Sequence, residues 1–148
     1  MAKLYFDSCM YGRHRDDQKD ARIAAETIAI MTIIDIAPIV GNCILGSGAV
    51  GDELGRIKNP SLRADLLDFY VDTVDVSVKL TPADDIRAQV FRAAGVGTTD
   101  SVHLAAAEKA GADYLLTVDD DFERIATAKN LSNVKVMNPL TYLAGGTK

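Results

Sequence analysis

GTTDSVHLAAAEKAGADYLLTVDDDF, residues 97–122, carries the reading of the fold. Its first part, Asp100 to Ala110, is rich in alanine and stops at Gly111, where a glycine readily takes the left-handed conformation that closes a helix. Its second part, Asp113 to Val118, has strand length, and YLLTV is continuously apolar instead of alternating. Strands read that way when helices cover both faces of a parallel sheet. The strand runs out into Asp119, Asp120 and Asp121, and a further helical segment is expected from Asp121 to Lys129. Helix, covered strand, helix is the repeating unit of an α/β fold.

The pattern extends in both directions. Strand-length apolar runs occur at Lys3 to Phe6, Asn42 to Leu45, Asp75 to Leu80 and Val134 to Met137, which with YLLTV makes five strands. Asp16 to Ile36 spaces Ala21, Ala24, Ala25, Ile28 and Ala29 at intervals of three and four, a helical stripe. Further helices are expected over Val50 to Lys58, Ser61 to Thr73, and from Pro82 to about Gly95, the last opening on Thr81-Pro82, where proline suits a first helical turn. The sequence therefore predicts an α/β three-layer αβα sandwich around a central five-stranded parallel sheet, with right-handed crossovers. A chain of 148 residues with 48% hydrophobic content can build one core, so residues 1–143 are expected to form a single domain, with a flexible tail over 144–148.

Composition narrows the class. The start lacks the long apolar region of a secretory signal. The most apolar stretch, Ile28 to Val40, reads as too short to span a bilayer and contains Asp35, so a soluble, cytoplasmic chain without membrane attachment is expected. Cys9 and Cys43 show no metal-binding spacing and are expected to be free thiols in a reducing compartment. Acidic residues outnumber basic ones by 21 to 16, which opposes binding of nucleic acid through bulk positive charge.

The excess charge is placed in a telling way. In open parallel α/β sheets ligands bind beyond the carboxyl ends of the strands. Asp7 leaves the first strand, Asp119 to Asp121 leave YLLTV, and Glu53 and Asp100 lie near the starts of helices. Setting Asp7, Glu53, Asp100, Asp119 and Asp121 aside leaves 16 acidic residues against 16 basic ones. Each has an ordinary explanation as a turn former, a helix N-cap or a solvated side chain. Carboxylates that converge repel one another, however, and a divalent cation is the usual reason such a cluster persists. An all-oxygen site suits Mg2+ or Mn2+, and such ions activate water toward phosphodiesters.

These segments resemble the PIN-domain family. LYFDSCMYGR resembles its opening strand with the first aspartate, GSGAVGDELGR its second motif with the glutamate, and GTTDSVHLAAA followed by LLTVDDDF its last two motifs. The resemblance implies a metal-dependent ribonuclease with Asp7, Glu53, Asp100 and Asp119 as metal ligands, Asp121 assisting, and Asp120 as a variable position. Ser8, Ser47 and Thr117 match hydroxyl positions of the family, with Ser8 and Thr117 expected to orient carboxylates. YGRHRDDQKDAR departs from the commonest pattern, and Arg13 and Arg15 are candidates for contact with substrate phosphates. His14 and His103 receive no role, because the family mechanism needs no histidine base.

Three other acidic α/β folds fail on particular residues. A receiver domain needs an aspartate ending the third strand and a lysine ending the fifth, where this chain has VKLTP and VMNP; DSC after the first strand excludes a haloacid-dehalogenase pattern, and DSCMY an integrin-type DxSxS. Among PIN proteins, a stand-alone chain of this size resembles the VapC-type toxins of type II toxin–antitoxin pairs. That resemblance implies an RNA substrate, a homodimer and a small antitoxin partner. The alternatives are an RNA-processing PIN nuclease without a toxin role, and a PIN-like module that binds RNA or protein without cutting.

Overall fold

The computed structural model describes residues 1–145. Five strands form one parallel sheet in the order β3-β2-β1-β4-β5: β1 (Lys3–Phe6), β2 (Cys43–Ser47), β3 (Val76–Val78), β4 (Tyr114–Leu116) and β5 (Lys135–Met137). Helices α1 (Ser8–Gly12), α2 (Ala21–Val40), α3 (Gly48–Gly55), α4 (Pro60–Thr73), α5 (Pro82–Ala93), α6 (Thr98–Lys109), α7 (Asp120–Ala128) and α8 (Pro139–Leu143) complete the αβα arrangement. The three-layer sandwich expected from the sequence is the observed fold.

Strand β1 lies at the centre, and Leu4, Tyr5 and Phe6 are completely buried, as are Leu115 and Leu116 of the neighbouring β4. From β1 the chain builds outward through β2 to β3, then returns to β4 on the other side. The crossovers thus diverge between β1 and β4, and a crevice opens beyond their carboxyl ends at this switch point. Asp7 and Asp119 stand at that edge. On the other side of β1, Gly46 is required by close approach, because a Cβ there would run into the Tyr70 ring, whose hydroxyl donates to the Ser47 carbonyl.

Several boundaries differ from expectation. The long helix begins at Ala21, not Asp16, because Arg13–Arg15 form a 3-10 turn and Asp20 caps the helix by accepting from the Arg22 and Ile23 amides. It then continues through Pro38 to Gly41, whose φ of 75° supplies the left-handed stop. Pro38 lacks the amide that would bond the Ile34 carbonyl, so the helix runs through it one hydrogen bond short. At 20 residues, α2 is long and apolar enough to cross a membrane by length and composition, so the shorter stretch read from the sequence needs correction. Here α2 lays Ala29, Ile30, Ile33 and Ala37 into the core and buries Glu26.

Helices α1 and α8 were not expected; five residues each, they are too short to show a periodic stripe. The segment from Thr81 obeys its signals, with Thr81 and Asp84 forming a reciprocal capping box and Pro82 in the first turn. Of the tail expected over 144–148, Ala144 closes α8 and Gly145 follows in a turn, while 146–148 lie outside the described residues.

Candidate metal centre

Asp7 reaches the site because β1 ends there: its amide donates to the Leu116 carbonyl of β4 at 3.0 Å, pinning the residue between the two central strands. Its side chain is buried and receives a hydrogen bond from the Thr117 hydroxyl at 2.8 Å. The Cys9 thiol adds a second donor to the same oxygen, Oδ2, at 3.3 Å. Burial, then the Asp7 charge, push that thiol well above its usual value, so Cys9 is a neutral S–H donor. Asp7 Oδ1 is left facing the crevice, 3.5 Å from His103 Nε2.

Glu53 comes from α3, which starts directly after β2 because Ser47 caps it, accepting from the Ala49 amide. Its Oε1 lies 2.7 Å from His103 Nε2. That hydrogen bond, with a further one from Ser8, holds the Glu53 carboxyl below its ordinary value. His103 is fully buried on α6, and its other ring nitrogen, Nδ1, lies 2.8 Å from the Tyr5 hydroxyl. Tyr5 in turn lies 2.8 Å from Ser47 Oγ. Burial opposes a charged imidazolium, but the Glu53 hydrogen bond and the charges of Asp7, Glu53 and Asp100 raise His103 above its ordinary value. One ligand atom from each of Asp7, Glu53 and His103 falls within 4.8 Å of the others.

Asp100 sits one helical turn before His103, near the start of α6. Its carboxyl is pushed up to about 7, first by burial and then by the charges of Asp7, Asp119 and Glu53. A carboxylate that feels three others lies where their charges converge. Asp119 is the N-cap of α7, accepting from the Asp121 and Phe122 amides through Oδ1, while its own amide donates to Thr117 Oγ1 at 3.1 Å. Thr117 therefore bridges Asp7 and Asp119 directly.

Asp121 stands further out. It lines a 330 Å³ cleft together with Asp100, Asp119 and Arg124, and its carboxylate accepts from Arg124 at 2.8 Å. Asp120 points away, held by two hydrogen bonds from Arg22 at 2.7 and 2.5 Å. Arg13 is occupied by Glu26 through two nitrogens, at 3.0 and 2.6 Å, and by Asp16. Arg15 pairs with Asp65 at 2.6 Å, both partly exposed. On the far side of Glu53 a second cleft, of 230 Å³, is lined by Asp52, Glu53, Arg56 and Thr98 among others.

His103 is the residue that sequence reasoning missed. Its spacing of three from Asp100 placed it on the same helix face, but nothing in the sequence showed Tyr5 and Glu53 converging on its two nitrogens. The remaining donors are carboxylates, hard oxygen ligands whose mutual repulsion is relieved by a divalent cation. The donor set therefore fits a hard divalent cation.

No curated protein matches the sequence itself. The fold is similar to that of VapBC2 from Rickettsia felis, solved bound to a DNA fragment from its promoter, with 14% identity, a TM-score of 0.59, and coverage of 92% of this chain and 98% of that one. It is also similar to VapC20 of Mycobacterium tuberculosis, a sarcin–ricin loop cleaving toxin, with 16% identity, a TM-score of 0.61, and coverage of 89% and 98%. The PIN-domain model matches residues 8–128, most of the chain and all of the crevice except Asp7, and the chain belongs to the PIN-domain family.

Proposed function

We propose that this protein is a divalent-metal-dependent endoribonuclease and the toxin of a type II toxin–antitoxin pair. The observation that carries the reading is the convergence of Asp7, Glu53, Asp100 and Asp119 at the switch point of a PIN fold, with Asp100 raised to about 7 by burial and then by its acidic neighbours. These four carboxylates would hold Mg2+ or Mn2+, with Asp121 at the rim assisting. When bound, such an ion supplies Lewis acidity that activates water and offsets charge developing on a phosphodiester.

The chain's own residues do the positioning. Thr117 fixes Asp7 Oδ2 and the Asp119 amide, which sets the separation of the two strand exits. Ser8 supports Glu53 from α1. The two clefts on either side of the cluster give an RNA strand a path across it, and each offers one arginine, Arg124 on one side and Arg56 on the other. These suit phosphate contacts flanking the scissile bond. Arg15, whose partner Asp65 is exposed, remains a further candidate, whereas Arg13 serves Glu26.

The toxin reading draws support from the likeness to VapC20 and VapBC2. It carries the expectation of a small antitoxin, a homodimer and a cytoplasmic location. Apolar surface suited to such partners exists: α2 packs against α8, and Ile36, Ile39 and Val40 of the one and Leu140 and Leu143 of the other are exposed. Purified protein should cleave RNA with Mn2+ or Mg2+, lose the activity in EDTA, and lose it again as Asp100→Asn. Cleavage that persists through both treatments contradicts the metal-nuclease reading. Expression should arrest growth, with Asp7→Asn relieving the arrest; RNA cleavage without arrest would leave the nuclease and remove the toxin.

A further inference from the structure

We propose that His103 is a positioning residue: locked as its Nε2–H tautomer by the Ser47–Tyr5 hydroxyl pair, it donates to Glu53 and so aims that carboxylate at the metal without ligating the ion itself. The inference rests on the metal-nuclease reading and names a residue which that reading does not use.

Distance alone leaves His103 eligible as a ligand, since its Nε2 lies 2.7 Å from Glu53 Oε1 and 3.5 Å from Asp7 Oδ1. Proton placement decides against it. A nitrogen and a carboxylate oxygen 2.7 Å apart need a hydrogen between them, because two lone pairs at that distance repel. A glutamate that serves a divalent cation does so as the carboxylate, so the hydrogen belongs to Nε2. In a neutral imidazole Nδ1 is then the acceptor, and the Tyr5 hydroxyl, 2.8 Å away, is the donor.

The next link closes the accounting. Tyr5 has spent its single proton on His103, so Ser47, at 2.8 Å, donates to Tyr5, while Ser47 Oγ accepts from the Ala49 amide. Every proton in the chain Ser47 to Tyr5 to His103 to Glu53 has an acceptor. Reversing it, so that Nδ1–H donates to Tyr5 and Tyr5 to Ser47, strands the Ser47 proton: this side chain is fully buried, and its recorded partners are Tyr5 and the Ala49 amide. A buried unsatisfied donor is destabilising. An imidazole free to ligate through Nε2 would require that reversed chain. The site is therefore an oxygen-ligand site with an imidazole behind it, the arrangement in which an outer partner orients a metal-binding carboxylate.

The test is Mn2+ affinity, measured calorimetrically and by Mn2+ electron paramagnetic resonance on full-length protein. Wild type should bind Mn2+ without nitrogen coupling of the strength a direct ligand gives. His103→Ala should weaken binding by about 10–100-fold. His103→Gln, which returns an N–H close to the Nε2 position, should stay near wild type. Tyr5→Phe, which keeps the ring and removes only the lock, should fall between them, and 15N spectra of its Mg2+-loaded form should show loss of the single Nε2–H tautomer. Directly coordinated nitrogen in wild type overturns the proposal, as does a His103→Gln protein that folds yet binds as weakly as His103→Ala. Wild type that binds no Mn2+ would instead remove the metal reading beneath it.

Discussion

This molecule buries the carboxylates of Glu26 and Asp7 in separate clusters, and it treats them in opposite ways. Glu26 in α2 is fully buried, and the protein supplies its counter-charges: Arg13 at 2.6 Å, Arg22 at 3.3 Å, and the Asn138 side chain that caps α8. That cluster ties α2 to the 3-10 turn and α8, and through Arg22 and Asp120 to α7. At the carboxyl edge of the sheet, Asp7, Glu53, Asp100 and Asp119 face one another, and among the described residues the one basic side chain ion-paired with any of them is His103. A protein able to pair Glu26 with two arginines pairs none with these four carboxylates among the described residues, and Arg56 and Arg124 stand only in the flanking clefts. The difference separates a structural ion network, complete in itself, from the site proposed to take a divalent cation.

The two clusters should respond oppositely to neutralisation, and the largest effect lies at the crevice. Asp100→Asn should abolish metal-dependent RNA cleavage while leaving the metal-free protein as stable as wild type or more so, read by thermal melting without metal, because it removes a charge that three neighbours repel. A clear drop in melting temperature would place Asp100 in a structural role like that of Glu26.

At the other cluster the sign reverses. Arg13→Ala leaves a buried carboxylate short of its main partner and should cost about 3 kcal/mol, measured by urea denaturation. A protein of wild-type stability would show that Glu26 does not depend on Arg13, and would weaken the contrast.

The pH dependence of the metal-free protein sharpens the comparison further. Asp100 is raised in the folded state to about 7, from an ordinary value of 3.8, so the folded form favours the protonated carboxyl. Stability from this group is full below the ordinary value and is lost as pH rises toward about 7. Melting temperature without metal should fall across that window, and Asp100→Asn should flatten the fall.

The smallest effect concerns the flanking arginines. Arg56→Ala and Arg124→Ala should each lower the salt slope of RNA binding by about one, with Mn2+ affinity unchanged. An unchanged slope would remove the proposed path for the RNA.

Much of the fold was legible because its signals are local. Continuously apolar strands such as YLLTV, the Thr81-Pro82 helix start and the glycine stops each report on a few neighbouring residues, and the observed elements follow them. The short helices α1 and α8 carry too few residues for a period, and α2 runs through Pro38, which sequence rules treat as a terminator. At the candidate site, the strand-exit carboxylates stood out by position. His103 and Glu26 did not: His103 takes its meaning from Glu53 and Tyr5, 50 and 98 residues away in the chain, and Glu26 from a burial that also brings Asn138, 112 residues away, onto it. The same holds for Arg13, read as a phosphate ligand from its distance to Asp7, and engaged instead by a buried carboxylate whose burial no local pattern announces.

The central claim is that the crevice is a metal site and the Glu26 cluster is not. Anomalous scattering from a Mn2+-soaked crystal tests it most directly. The account predicts Mn2+ surrounded by oxygens of Asp7, Glu53, Asp100 and Asp119, with none at Glu26 or Asp120. An ion bound elsewhere, or a crevice that stays empty at saturating Mn2+, would contradict it.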